Sequence, residues 1–268
     1  MSLFKIKEPK KDPVPIIISI PHSGTKFPSE IKRYYKKRKR KYLDDTDWFV
    51  HKLYDFAPSL GITVIKANYS RWVVDLNRDP ECIPLYDDNR IITAMTPTTD
   101  FFGNNIYKSS ELKPTPKEIE RRLELYYQPY HRKIKQLLEE RKRQFGKVLL
   151  WDAHSIRHRV STIQKDVFPD MILGNNDQNT AHPELINTAL TNLQSGKYNI
   201  NHNSPFKGGH ITRHFGNPDN NVHTLQLEMN KILYMDDNEL TYNKERAKEV
   251  KAILQTTMEG LIETITSI

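Results

Sequence analysis

Short apolar runs alternate with amphipathic stretches along this chain, and two of the runs lead straight into a histidine. Ile16-Ile17-Ile18-Ser19-Ile20 is followed by Pro21-His22-Ser23-Gly24, and Val148-Leu149-Leu150-Trp151 by Asp152-Ala153-His154-Ser155. An unbroken apolar run of roughly four to eight residues reads as a core strand of an α/β sheet. Ligands in such sheets bind beyond the carboxyl ends of the strands. Both imidazoles are therefore expected at one sheet edge, close enough to share a metal ion.

The remaining periodicity extends the same pattern. Residues 14–20, 62–65, 148–151, 170–174 and 222–229 read as strands, and 71–77 begins extended before a Pro80-marked loop. Thr115-Pro116-Lys117-Glu118 carries the cap, the first-turn proline and the acid of a helix start. That helix is expected to run to about Gln144 with a kink at Pro129. Further helices are expected from Thr46 or a neighbouring aspartate, from His182-Pro183 to about Gln194, and over 241–266. The stretch 81–114 has no clear period and reads as a long functional loop. The expected fold is α/β: a single three-layer domain over 1–268, with a mostly parallel or mixed central sheet and helices on both faces.

Composition narrows the setting. Hydrophobic residues make up 37% and charged residues 28% of the chain. No apolar stretch approaches the roughly 18–20 residues of a membrane span, and Met1-Ser2-Leu3-Phe4-Lys5 lacks a signal-peptide core. The lone Cys82 permits no intrachain disulfide and reads as a small buried side chain. A cytoplasmic setting is expected. Residues 32–41 hold eight basic residues and no acid, which equals the whole net charge of +8. A solvated helix or loop is preferred for this run over a nucleic-acid site, because a phosphate-binding chain is usually basic beyond one segment.

A hydrolytic metal site needs three protein ligands and one open position. His22 and His154 supply nitrogen, and Asp45 or Asp47 supplies a carboxylate. Asp47 is preferred, because it precedes the apolar Trp48 and Phe49. Asp152 lies two residues before His154 and shares its face of a strand, as a partner that orients an imidazole does. Glu228 ends the alternating strand 222–229, where a carboxylate suits a general base. Asn77 and Arg78 are placed at the end of another expected strand to grip a carboxylate, with Arg71 and Arg213 as further candidates. Gly208-Gly209-His210 opens a glycine-hinged loop placed to close over the site.

Five stretches, in order, resemble the N-formylglutamate amidohydrolase family: Pro21-His22-Ser23-Gly24, Asp45-Thr46-Asp47-Trp48, Ser70 through Pro80, Asp152-Ala153-His154-Ser155, and Phe206-Lys207-Gly208-Gly209 through Glu228. They span about residues 16–230. That family in turn resembles zinc carboxypeptidases and aspartoacylases. The resemblance implies one Zn²⁺ per chain, or another divalent ion, held by His22, Asp47 (or Asp45) and His154. It implies Glu228 as the base, Arg78 at the developing oxyanion, and Arg71, Asn77, Arg78, Arg213 and His210 as substrate contacts. The implied substrate is a small N-acyl amino acid, N-formyl-L-glutamate, cleaved to glutamate and formate. Two features depart from the family pattern, the basic run 32–41 and His210 where a tyrosine is expected, and the spacing from His22 to Asp47 is far longer than the compact His-x-x-Glu of carboxypeptidases.

Overall fold

A computed structural model of the chain describes residues 2–81, 83 and 94–268, so Cys82 and much of the expected 81–114 loop lie outside the described residues. Seven strands form one mixed sheet: β1 (Phe4–Lys7), β2 (Ile16–Ile20), β3 (Thr63–Ala67), β4 (Val148–Ile156), β5 (Met171–Gly174), β6 (Ile200–His202) and β7 (Val222–Asn230). Their spatial order is β1-β3-β2-β4-β7-β5-β6. The central pairs β3–β2, β2–β4 and β4–β7 are parallel, whereas β1 and β5 join antiparallel to β3 and β7. The helices are α1 (Ser29–Lys32), α2 (Lys37–Lys41), α3 (Val50–Leu53), α4 (Pro116–Arg122), α5 (Gln128–Phe145), α6 (Pro183–Gln194), α7 (His210–Phe215) and α8 (Lys244–Ser267). Among the described residues, none is long and apolar enough to cross a membrane.

Strand alternation sorts the core into two layers. Ile16, Ile18, Ile20, Leu149, Trp151, Leu225 and Leu227 point to one face, in a cluster with Val50 and Leu53 of α3, Leu185 and Ala189 of α6, and Val250, Leu254 and Met258 of α8. Ile17, Ile65, Val148 and Leu150 point to the other, with Tyr130, Ile134 and Leu138 of α5. Burial of each such side chain stabilises the fold by about 1.5–3 kcal/mol. Ser19 is paired with Asp152, Asp152 with Gln226, and His154 with Glu228. Paired residues share a face, so toward the strand ends the α5 face changes from apolar to ionisable.

Thr115 caps α4 as expected, accepting from the Glu118 backbone N–H at 3.3 Å. The helix passes through Pro129 by way of a π turn over Leu123–Tyr127. Proline lacks an N–H and crowds the carbonyl four residues back, and the wider turn gives that carbonyl room.

Three local expectations are corrected. No helix starts at Thr46: Asp45 to Trp48 form turns, Phe49 takes a left-handed φ of 63°, and α3 is only four residues long. The Asp47 backbone N–H donates instead to the His22 carbonyl at 3.0 Å, tying this turn to the end of β2. The segment 71–77 is not a strand but a turn, closed by Val73 N–H to the Ser70 carbonyl at 2.9 Å. Trp72, Val73 and Val74 are apolar because they fill the second core layer. Finally, β4 continues to Ile156, so His154 stands within the strand rather than beyond it. The antiparallel edge β1, half-buried and only four residues long, had no distinct sequence signal.

The basic run folds as α1, a connecting turn and α2. Helix α2 buries none of its five cationic side chains. Lys39 pairs with Asp100 and lies 4.0 Å from Asp44, while Lys32, Arg33, Lys36, Lys37, Arg38 and Lys41 are exposed.

Candidate metal centre and active site

His22 leaves β2, Asp47 hangs from the turn tied to it, and His154 rises from the neighbouring β4. One ligand atom from each of these three buried residues lies within 4.8 Å of the other two. His154 Nδ1 is 3.0 Å and His22 Nδ1 3.9 Å from Asp47 Oδ2, and the imidazole centroids are 4.8 Å apart. Ligand bonds of about 2.0–2.1 Å in a tetrahedron put ligand atoms roughly 3.3 Å apart. The two distances straddle that value, so a divalent ion fits with small side-chain shifts.

The outer nitrogen of each imidazole is held by a carboxylate. His22 Nε2 is 2.7 Å from Asp75 Oδ1, and His154 Nε2 is 2.8 Å from Asp152 Oδ2. That arrangement aims both Nδ1 atoms at the same point, as in carboxylate–histidine–metal triads. Among the described residues, the buried His22 Nδ1 has no hydrogen-bond partner. A bare buried nitrogen is costly unless something ligates it, so the donor set suits a cation.

Electrostatics agree with this geometry. Burial, then the charge of Arg71, lowers the His22 pKa, with Asp75 opposing, which favours the neutral imidazole a metal requires. Burial alone would lower His154 too, but Asp152 and Asp47 hold it well above the usual imidazole value. Burial pushes Asp47 up, but the hydrogen bond and charge of His154 hold it below the ordinary carboxylate value.

Asp45 points elsewhere. Its carboxylate accepts from Trp72 Nε1 at 2.7 Å and from the Phe101 backbone N–H at 2.9 Å. Loss of solvation raises its pKa to about 6.

Glu228 is the lateral neighbour of His154 on the same face of the β4–β7 ladder. Among the described residues its carboxylate makes no hydrogen bond or ion pair. Burial pushes its pKa up to about 8, with His154 pulling it down and Asp47 pushing it up. It is thus an uncommitted carboxylate beside the triad, with a proton affinity suited to exchange near neutral pH.

The other candidates divide. Arg71 is buried, donates to Asp75 at 2.7 Å and stacks 4.9 Å from the Phe101 ring centroid. Its Nη2 is engaged by Asp75, and its charge is the counter-ion to Asp75, Asp45 and Asp47. Asn77 is equally committed: its Nδ2 lies 3.3 Å from Asp152 Oδ2 and 3.0 Å from His154 Nε2, and its Oδ1 accepts from Ile211 N–H at 2.7 Å. Arg78 Nη2 lies 3.6 Å from Asp75 Oδ2, so it sits beside the centre. Arg213 folds back onto the Gly208 carbonyl at 2.9 Å. His210 stands apart from the triad, 3.6 Å from Asp79 and stacked on His214, in a cleft of about 580 Å³ that His131 and Phe215 also line.

The expected lid is a short helix, α7, held down at its start. Gly209 N–H donates to Gln226 Oε1 at 2.7 Å, while Asn77 takes Ile211 N–H. A Cβ on Gly209 would collide with the Asn77 side chain. Gly24 has the same need after His22, because a Cβ there would strike the Tyr69 carbonyl.

Three residues of the site had no role in the sequence reading. Asp75 is wholly buried between His22, Arg71 and Arg78. Gln226 anchors α7. Lys231 is buried, donates to the Asp44 carbonyl at 3.0 Å, and its charge reaches Asp47 and Glu228. Asp75 alone had a readable signal, a carboxylate set within Trp72-Val73-Val74-Asp75-Leu76.

Parallel strands that deliver two histidines and a glutamate to one face, beside a turn-borne aspartate, define a mixed α/β scaffold with a metal-competent hydrolytic centre. The N-formylglutamate amidohydrolase family model matches residues 14–235, and the chain belongs to that family. It is 38% identical over 256 residues to an N-formylglutamate deformylase of Pseudomonas aeruginosa, covering 94% of each chain. It is 36% identical over 252 residues to an N-formylglutamate deformylase of Pseudomonas putida, covering 93% of this chain and 92% of that one. The crystal structure of N-formylglutamate amidohydrolase from Ralstonia eutropha JMP134 shares the fold, with a TM-score of 0.82 at 24% identity over 99% of both chains.

Proposed function

We propose that the chain hydrolyses N-formyl-L-glutamate to L-glutamate and formate, with one zinc ion held by His22, Asp47 and His154. The observation that carries this reading is the side-by-side placement of His154 and Glu228, next to a His22 Nδ1 that has no hydrogen-bond partner among the described residues. A bound divalent ion supplies a Lewis acid that acidifies water and polarises a carbonyl oxygen.

The protein's own groups do the rest. Glu228 takes the proton of the attacking water on its carboxylate and returns it to the leaving nitrogen, which releases glutamate as the amine. Its raised proton affinity suits both transfers, and cationic charge brought to the triad draws its pKa back down. Asp75 and Asp152 hold the imidazoles in place during the reaction. Arg78, 3.6 Å from Asp75, is the guanidinium with reach to the developing oxyanion or a substrate carboxylate. Arg213 and His210 are the remaining candidates for the distal carboxylate, whereas Arg71 and Asn77 serve the centre through Asp75, Asp152 and His154.

The test is formate release by chelator-stripped protein before and after zinc addition, with formyl-, acetyl- and succinyl-glutamate compared in parallel. Zinc-dependent turnover of the formyl substrate, at least tenfold above the other two, is expected. Turnover unaffected by chelation removes the metal reading, and a preference for a longer acyl group removes the substrate.

A further inference from the structure

We propose that the basic helix α2 and the end of α1 form a binding site for a compact polyphosphate, the phosphate chain that nucleoside triphosphates and inorganic triphosphate share. The two elements border an open depression of about 840 Å³ lined by Lys32, Lys37, Arg38, Arg40, Lys41 and Tyr42. All but Tyr42 are cationic, and among the described residues none of the five pairs with a carboxylate. The acids at this edge are taken elsewhere: Asp100 pairs with Lys39, and Asp44 with Arg157 at 2.8 Å. Arg40 Nε is buried and, among the described residues, has no hydrogen-bond partner. A buried donor without an acceptor is costly, and an anion seated in the depression supplies one.

Helix α2 is Lys-Arg-Lys-Arg-Lys, with no acid in its first turn and no side chain buried. Lys37 and Lys41 are four apart, Lys37 and Arg40 three apart, and Arg38 and Lys41 three apart, so like charges repel across its surface. A helix this short has little stability of its own, and charge gathered on it gains from an external anion. Guanidinium forks and ammonium groups match phosphate oxygens through charge-assisted hydrogen bonds. The ligand is compact, because the basic run carries the whole net charge of the chain. A nucleic-acid backbone calls for a longer cationic track, and a lipid surface for apolar anchors. Tyr42, 46% exposed, is the single aromatic group on the rim, and its ring offers a stacking face 5.2 Å from the Lys41 ammonium.

The depression shares no residue with the candidate metal centre, so its test stands apart from the hydrolytic reading. Isothermal titration of the full chain with inorganic triphosphate at about 0.15 M salt is expected to show saturable binding of a single ligand. The triple variant Lys37→Gln, Arg38→Gln and Lys41→Gln, at three exposed positions, is expected to weaken that binding by roughly tenfold or more. The charge-keeping variant Lys37→Arg, Arg38→Lys and Lys41→Arg is expected to retain it. ATP that binds more tightly than triphosphate, with the difference lost in Tyr42→Ala, assigns a nucleotide as the source; equal affinity assigns inorganic polyphosphate. Absence of saturable binding overturns the proposal. Equal affinity in the wild type and the glutamine-substituted triple variant overturns it as well, because the ligand then sits elsewhere, the metal centre included. Tighter binding of duplex DNA or of phosphatidylserine vesicles than of triphosphate replaces the compact ligand with an extended one and sinks it too.

Discussion

His154 and Glu228 are direct partners in the parallel β4–β7 ladder, one bearing a triad nitrogen and the other a carboxylate with no hydrogen bond or ion pair among the described residues. Side chains alternate with a period of two, so a one-residue slip of β7 would carry Glu228 to the opposite, apolar face. The register is specified along the whole pair, from Val148–Val222 to Ile156–Asn230, by Leu225 and Leu227 in the core. Packing far from the site thus sets the placement of the Glu228 carboxylate beside the His154 imidazole.

Glu228→Gln should cut formate release by on the order of 10²–10⁴ while zinc stays bound. The same substitution has a stability signature in metal-free protein. Burial raises the Glu228 pKa from 4.5 to about 8, so the folded state holds a proton that the unfolded chain gives up. The Glu228 contribution to wild-type stability is lost as pH rises from about 4.5 through 8, so the stability difference between wild type and Gln variant shifts against the wild type over that range. Denaturant midpoints of the two proteins across that range check the sign. Near-normal turnover by the Gln variant would falsify the base assignment.

The two aspartates of the Asp45-Thr46-Asp47 turn should separate cleanly. Asp47→Ala is expected to lose zinc stoichiometry with a small change in melting temperature. Asp45→Ala is expected to keep zinc but lose about 1–3 kcal/mol of stability, because Trp72 Nε1 and Phe101 N–H are left without their acceptor. Metal analysis and urea unfolding on both variants decide the matter, and the reverse pattern would exchange their roles.

Acid should weaken the fold before carboxylates alone would do so. Burial is the main cause that lowers the pKa of His131 to about 3 and of His51 and His223 to about 4. Each stays neutral when folded but takes a proton near pH 6.5 when unfolded, so the stability is present above that pH and is lost as pH falls toward 4. His131 stacks on Tyr127 and donates Nε2–H to the Leu76 carbonyl at 2.8 Å. His131→Gln keeps a donor but no titration, and its loss of stability between pH 6.5 and 4.5 should be shallower. Parallel pH profiles for variant and wild type would refute the assignment.

Gly209→Ala should disturb the site from a distance. Its methyl group would enter the space of the Asn77 amide, which contacts both Asp152 and His154. Overpacking of this kind costs about 1–3 kcal/mol. A drop in kcat/KM is expected, with the α7 contacts loosened in hydrogen exchange. Unchanged kinetics would show that Asn77 has room to move.

Legibility followed the range of the forces involved. The strands β2, β4 and β7, though not where β4 ends, the Thr115 cap and the α6 and α8 helices were readable because apolar periodicity and capping are local. Asp45 to Trp48 and Arg71 to Asn77 were misread as regular elements. Their backbones and side chains answer to distant partners: Asp47 N–H to the His22 carbonyl, and Asn77 to His154 and Asp152. Arg71 was readable as a cation in a motif, but its engagement with Asp75 depended on which groups burial brought together.

By itself the sequence determined an α/β chain that sends two histidines and a glutamate to the ends of parallel strands, because strand period and strand direction are written in neighbouring residues. Only the tertiary structure set Asp47 rather than Asp45 beside the two histidines, since both lie in one turn and their surroundings depend on whether Trp72 or His154 stands opposite. It also brought Asp75 under His22. A buried carboxylate takes its meaning from the donors that surround it, and those come from residues distant in sequence or on a turn that only the folded chain closes.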